Sequence, residues 1–171
     1  MLLVVALSLA SCTPRSAPTA CPPLESEPAP AAAEALEQRI SALADAGGLV
    51  SLTLTEDEAT AYLRHRLVSD DAIEPRITLR EETICAQMNL PCLGQRLLIV
   101  AELAPYISDG NLAVDLTTLS LQRRSVPGWL RRSAESTLNE LLVELSGAAL
   151  VRSVSLVDHA LTLVVEMPEA R

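Results

Sequence analysis

From Pro75 to Gln122 the chain alternates apolar and polar residues with little interruption, and no other feature constrains its fold so strongly. Ile77 and Leu79, then Ile84, Ala86 and Met88, then Leu97, Ile99, Ala101 and Leu103, then Leu112, Val114 and Leu116 follow a period of two. That period belongs to strands with one buried face, because successive side chains leave opposite sides of an extended backbone. Ser108-Asp109-Gly110-Asn111 supplies residues that tolerate positive φ in a hairpin turn, and Asn89-Leu90-Pro91 predicts a further reversal. The segment therefore reads as an antiparallel meander, with Leu97 to Val100, apolar on both faces, in a central strand.

Helical periods frame the meander. Thr55-Glu56-Asp57-Glu58 forms a capping box, in which the Thr55 hydroxyl accepts from the Glu58 amide and the Glu58 carboxylate reaches back to the Thr55 amide. Ala59, Tyr62, Leu63 and Leu67 then make one apolar stripe. Val50, Leu52 and Leu54 alternate ahead of that helix as a strand, and a weaker helix with Leu36, Ile40 and Leu43 runs from Ala31 until Gly47-Gly48 stops it. Pro127-Gly128-Trp129 opens the longest predicted helix, with proline near the position where a missing amide matters least. Leu130, Ala134, Leu138, Leu141, Leu142 and Leu145 recur along it at three and four residues. Val154 with Leu156, and Leu161 with Leu163 and Val165, predict a final hairpin around Asp158-His159. The order is helix, strand, helix, four strands, long helix, two strands, which predicts an α+β fold: a curved antiparallel sheet packed around a long amphipathic helix whose apolar stripe it covers.

The amino-terminal segment has another character. An apolar run from Met1 ends in Leu9-Ala10-Ser11-Cys12, is far short of the ~20 residues that span a bilayer, and leads into proline-rich chain. Leu9 to Cys12 resembles the lipobox of bacterial lipoproteins, although no Arg or Lys precedes the run. The resemblance implies that residues 1–11 are a signal peptide cut between Ser11 and Cys12. It also implies that Cys12 is acylated, and that the protein is extracytoplasmic and anchored to a bacterial membrane in the cell envelope. Residues 12–30 hold six of the eleven prolines and no apolar period, and read as an extended tether. Residues 31–171 then form one domain, with its core over about 48–167.

The formal charge of −9 argues against nucleic acid as a partner. All thirteen basic residues are Arg, and four of them, Arg123, Arg124, Arg131 and Arg132, flank Trp129 at the start of the long helix. Free amides at such a terminus favour an anion, so a phosphate headgroup fits there, with Trp129 at a membrane interface; ordinary pairing with surface carboxylates accounts for the same arginines. Cys85 and Cys92 lie on either side of the predicted reversal at Asn89-Leu90-Pro91 and are expected to form a disulfide outside the cytoplasm. Cys21 is then left over in the tether, free or bridging to another chain. His65 and His159 are not at ligand spacing from the cysteines, so no metal is expected. No nucleophile elbow, phosphate loop, zinc helix or dinucleotide fingerprint occurs, and neither catalysis nor a cofactor is expected.

The strand leading into Leu54-Thr55-Glu56-Asp57-Glu58, the Asp109-Gly110 hairpin, the proline-led helix and the terminal hairpin together resemble a family. They are similar to small extracytoplasmic proteins related to the mycobacterial phospholipid-binding protein of lipomannan elongation. Those in turn resemble single modules of the tubular lipid-binding superfamily. The resemblance covers roughly Gly48 to Met167 and implies a sheet wrapped on a helix, with an apolar groove for acyl chains and no catalytic residues. Leu130, Leu138, Leu141 and Leu145 are the expected groove lining. The expected function is binding or passing on a lipid or other amphiphile; the alternative is a non-catalytic adaptor that supports an envelope protein assembly through a protein partner.

Overall fold

The computed structural model describes residues 21–22, 28–67, 74–92, 95–157 and 159–168. Cys12 and residues 1–11 lie outside them. The described chain is a mixed α and β fold of three helices and two antiparallel sheets. In chain order these are α1 (Pro30–Ala46), β1 (Gly48–Thr55), α2 (Glu56–Leu67), β2 (Arg76–Leu79), β3 (Ile84–Cys92), β4 (Gln95–Ser108), β5 (Asn111–Leu121), β6 (Arg124–Ser125), α3 (Gly128–Ser146), β7 (Leu150–Val157) and β8 (Ala160–Met167).

The period-two segments become strands in the predicted order. β2 to β6 form a five-stranded meander, while β1, β8 and β7 form a second sheet with β8 in its centre. The β4–β5 hairpin turns at Asp109 and Gly110, both at positive φ (52° and 78°). Gly110 also sits where a side chain would meet Leu150, since an added Cβ would lie 3.1 Å from its Cδ2. The Gly110 carbonyl accepts a hydrogen bond from the Val151 amide, and Leu79 O accepts one from the His159 amide, so the two sheets touch at both places.

The capping box forms as expected: the Glu58 amide donates to Thr55 Oγ1 (3.3 Å) and the Thr55 amide to Glu58 Oε2 (3.0 Å). The same helix then serves the edge of the meander. β2 pairs only with β3, and its other edge is met by α2 side chains. The Ile77 amide donates to Thr60 Oγ1 (3.0 Å), the Thr60 hydroxyl donates to Ile77 O, and the Leu79 amide donates to Glu56 Oε1. Thr60 and Glu56 are both buried. Glu56 Oε2 further holds His159 Nδ1 at 3.1 Å, which links α2, β2 and the β7–β8 turn through one carboxylate.

The opposite edge is closed in the same way. β5 pairs with β6 only at Ser120 and Leu121, and along the rest of that edge lies α3. Asn139 accepts from the Val114 amide (2.8 Å) and donates to its carbonyl, Glu135 accepts from the Leu116 amide (3.1 Å), and Arg131 donates to the carbonyls of Leu116 and Thr117. Thr117 is the extra residue of a β-bulge opposite Glu102 and Leu103, a distortion that leaves two successive carbonyls for one guanidinium.

This docking corrects the expected face of the long helix. Arg131, Ala134, Glu135, Asn139, Leu142 and Ser146 are the half-buried residues of α3, whereas Leu130, Leu138 and Leu141 are exposed. The leucine stripe is not what the sheet covers. An edge strand exposes amides and carbonyls, and only polar side chains can satisfy them.

Two further corrections concern β3. Asn89-Leu90-Pro91 is not a turn: these residues pair with Leu98, Leu97 and Arg96, and the strand runs on to Cys92. Cys85 and Cys92 therefore lie seven residues apart on one extended strand, about 23 Å at ~3.3 Å per residue, far beyond the reach of a disulfide. Cys85 is bonded instead to Cys21, with Cα atoms 5.7 Å apart. Both half-cystines are buried beside Val100. The Cys21 amide donates to Gln87 Oε1 and Thr78 Oγ1 donates to Pro22 O, so the chain ahead of α1 is fastened onto the sheet.

Two outcomes follow for stability. Thr60→Val, which keeps shape but strips both bonds to Ile77, should lower unfolding free energy in urea by about 1–3 kcal/mol, whereas Thr53→Val, at an exposed site, should change it by less than about 0.5 kcal/mol. Non-reducing peptide mapping should recover a Cys21–Cys85 peptide; Cys85→Ser should remove about 2–4 kcal/mol, and Cys92→Ser should leave the disulfide intact.

Candidate functional site

Between the two sheets the core is incompletely filled. Ile77, Leu79 and Leu161 are buried, but the aliphatic residues around them stay half-buried. They surround a cavity of about 350 Å³. Its wall is built from the apolar stripes of several elements: Leu36 and Ile40 of α1, Leu52 and Leu54 of β1, Ala59, Tyr62 and Leu63 of α2, and Ile77, Leu79 and Ile84 of the meander. Leu161 of β8 and Leu142 of α3 complete it. The alternation of β1 delivers Leu52 and Leu54 to one face, and the three- and four-residue spacing of α2 delivers Ala59, Tyr62 and Leu63 to another.

Every lining side chain is apolar except at the Tyr62 hydroxyl. That hydroxyl is occupied on the outer side, where it accepts from Arg66 Nε at 3.2 Å. The Arg66 guanidinium also stands over the Tyr62 ring, 5.4 Å from its centroid, and 3.6 Å from Glu37. The Tyr62 hydroxyl and then the Glu37 carboxylate raise its pKa above the ordinary arginine value. Ile40, at 39% exposure, is the cavity residue most open to solvent. The site is thus an aliphatic chamber, partly open to solvent, with an amphipathic tyrosine and an arginine at its rim. Its size falls in the range of small-molecule pockets, ~300–1,000 Å³, and an apolar cavity of this kind holds hydrocarbon more readily than water.

Of the leucines expected to line a groove, Leu130, Leu138 and Leu141 lie on the outward face of α3, and the side chain of Leu145 lies outside the described residues. The helix contributes Leu142 instead. The lining residues were legible only as separate stripes of α1, β1 and α2. Which stripes face one another depends on pairing between β1 and β8, 105 or more residues apart in the chain.

The arginine cluster is also divided. Arg131 is committed to the β5 carbonyls, while Arg123, Arg124 and Arg132 are exposed, as is Trp129. A wider depression of about 650 Å³ along α3, bordered by Arg132, Glu135, Ser136, Asn139, Glu140, Val143 and Glu144, is open and mixed in polarity, and nothing in it selects a ligand. Among the described residues no three of His, Cys, Asp and Glu cluster closely enough for a metal ion, and no helix is long and apolar enough to cross a membrane.

No family model and no curated protein matches the chain. The site's own geometry is therefore the ground for a functional reading.

The chamber makes a direct prediction. An apolar fluorescent probe such as N-phenyl-1-naphthylamine should gain fluorescence on mixing with the protein, and Ala59→Phe, which fills the chamber from α2, should weaken its binding about tenfold, ~1.4 kcal/mol. Leu141→Ala, on the outward face of α3, should leave binding unchanged.

Proposed function

We propose that this protein is an envelope lipoprotein, anchored through an acylated Cys12, that holds or passes on a lipid or similar amphiphile without catalysis. The apolar chamber of about 350 Å³ is the observation that carries this reading. An acyl chain inside it would gain dispersion contacts with the lining and remove its own apolar surface from water at ~25 cal/mol per Å². An anionic headgroup left outside would meet Arg66 at the rim. On this reading the domain works like one module of the tubular lipid-binding superfamily. The sheets and helices around an aliphatic interior support that comparison, while the outward leucine stripe of α3 departs from the expected sheet wrapped on a helix.

The rival reading is a non-catalytic adaptor in an envelope protein assembly, favoured by that same exposed stripe of Leu130, Leu138 and Leu141. A chamber is of no use to an adaptor, and a carrier has no need of the stripe for loading.

Native mass spectrometry with lipid extraction on the full chain, exported to an oxidising compartment, separates the two. The chain must retain Cys21, because removing everything before residue 31 would also remove the disulfide. A stoichiometric co-purified lipid, lost in Ala59→Phe, is the expected result. A clean apo mass that persists after incubation with mixed envelope lipids would reject the carrier reading. The mass of the amino-terminal peptide reports acylation at Cys12 independently.

A further inference from the structure

Trp129, the chain's single tryptophan, stands 66% exposed on the first turn of α3. So large an apolar ring is seldom left in water, and Leu130, also exposed, extends the apolar surface. Three exposed cations are close to it in the chain. Arg123 lies in the β5–β6 turn and Arg124 opens β6, both just before the helix, and Arg132 folds back over the first turn, its Nη1 3.7 Å from where a Cβ on Gly128 would stand. The turn is firmly seated although Gln122 and Arg123 both have positive φ: the Gln122 amide donates to Leu98 O and its Nε2 to Arg96 O.

The charge placement is unusual in two ways. Residues 116–134 contain four Arg and no Asp or Glu, in a chain whose formal charge is −9. Along α3 the arginines come first and Glu135, Glu140 and Glu144 follow, with no acidic residue in the first turn and no basic residue in the last. That order opposes the helix macrodipole, which favours anions at the amino-terminal end and cations at the carboxy-terminal end. The helix itself gains nothing from this arrangement. Arg131 has an internal role on the β5 edge, but Arg123, Arg124 and Arg132 form no ion pair with any described residue.

We infer that this end of α3 docks on an anionic phospholipid surface. Trp129 enters the interface, where an amphipathic ring is at home, and Arg123, Arg124 and Arg132 contact lipid phosphates. The occupant is a bilayer because the surface joins an exposed indole and an exposed leucine to three fork-shaped cations on a basic segment of an otherwise acidic chain, the charge complement of an anionic lipid surface. The strongly acidic remainder of the molecule would be repelled by the same membrane, so contact is confined to this end and the domain takes one orientation. The inference shares with the proposed function only a location beside a membrane, and it depends on neither the chamber nor acylation of Cys12.

The single tryptophan makes the test specific even when an anchor already holds the chain on the vesicle. The full chain is mixed with vesicles of phosphatidylglycerol and phosphatidylcholine, or of phosphatidylcholine alone, with brominated acyl chains as quencher. With phosphatidylglycerol, Trp129 emission should shift to the blue and be quenched, and ~1 M salt should reverse this because the Debye length falls to ~3 Å. Arg123→Gln/Arg124→Gln/Arg132→Gln, with unchanged circular dichroism, should reduce the quenched fraction about tenfold or more. Emission that stays at its aqueous position while the chain floats with anionic vesicles would overturn the inference. So would equal quenching in phosphatidylcholine, or a blue shift without lipid that grows with protein concentration, which would mark contact with a second copy. An unmodified Cys12 in the same sample would count against the anchored reading and leave the Trp129 result intact.

Discussion

Each free edge of the five-stranded sheet presents backbone amides and carbonyls that need partners once neighbouring elements exclude water, and helices α2 and α3 supply them through polar side chains four residues apart. Glu56 and Thr60 serve Leu79 and Ile77 on β2; Arg131, Glu135 and Asn139 serve Leu116, Thr117 and Val114 on β5. A spacing of four along a helix advances 6.0 Å, at 1.5 Å per residue, and a spacing of two along a strand advances about 6.6 Å. A helix lying along an edge can therefore address every outward-facing amide in turn. On the β5 side the sheet ends in this way with only the two-residue β6 beyond it, and α3 occupies the amides of Val114 and Leu116 that another chain could otherwise extend.

That constraint decides where the apolar surface goes. A helix docked by its polar stripe turns a leucine face elsewhere, and α3 leaves Leu130, Leu138 and Leu141 in solvent while Leu142, alone among its described leucines, reaches the interior. On the α2 side, Glu56 and Thr60 hold the helix to β2 while Ala59, Tyr62 and Leu63 line the chamber. The chain has no Phe and one Trp. Aliphatic side chains of modest size then meet across the gap between two sheets without closing it. Chamber and exposed stripe thus trace back to the same edge-capping bonds.

Much of the fold was legible in particular residues. The capping box at Thr55 and Glu58, the positive-φ hairpin at Asp109 and Gly110 and the period-two runs all rest on local stereochemistry, and each forms where expected. Pro91 misled because proline is a frequent turn residue; here it lies near the end of β3, where the strand continues to Cys92. The cysteines misled for a related reason. Two thiols close in sequence suggest a hairpin bridge, yet along one strand they recede from each other, while Cys21, 64 residues from Cys85, is brought to it by the packing of the preceding chain against the sheet. The leucine stripe of α3 was real as a pattern, but hydrophobic periodicity ranks faces by transfer free energy alone and does not register the hydrogen-bonding demand of a sheet edge.

By itself the sequence determined the elements other than the two-residue β6, their order and the local concentration of arginine near Trp129 in the chain, because these depend on dihedral preferences, side-chain alternation and charge along neighbouring residues. The tertiary structure alone decided which face of α3 turns inward, which cysteine joins Cys85, and that the stripes of α1, β1 and α2 converge on a common chamber. Those outcomes depend on pairing between segments far apart in the chain and on backbone groups whose need for partners arises only when a sheet has an edge, and neither is written in any local pattern of residues.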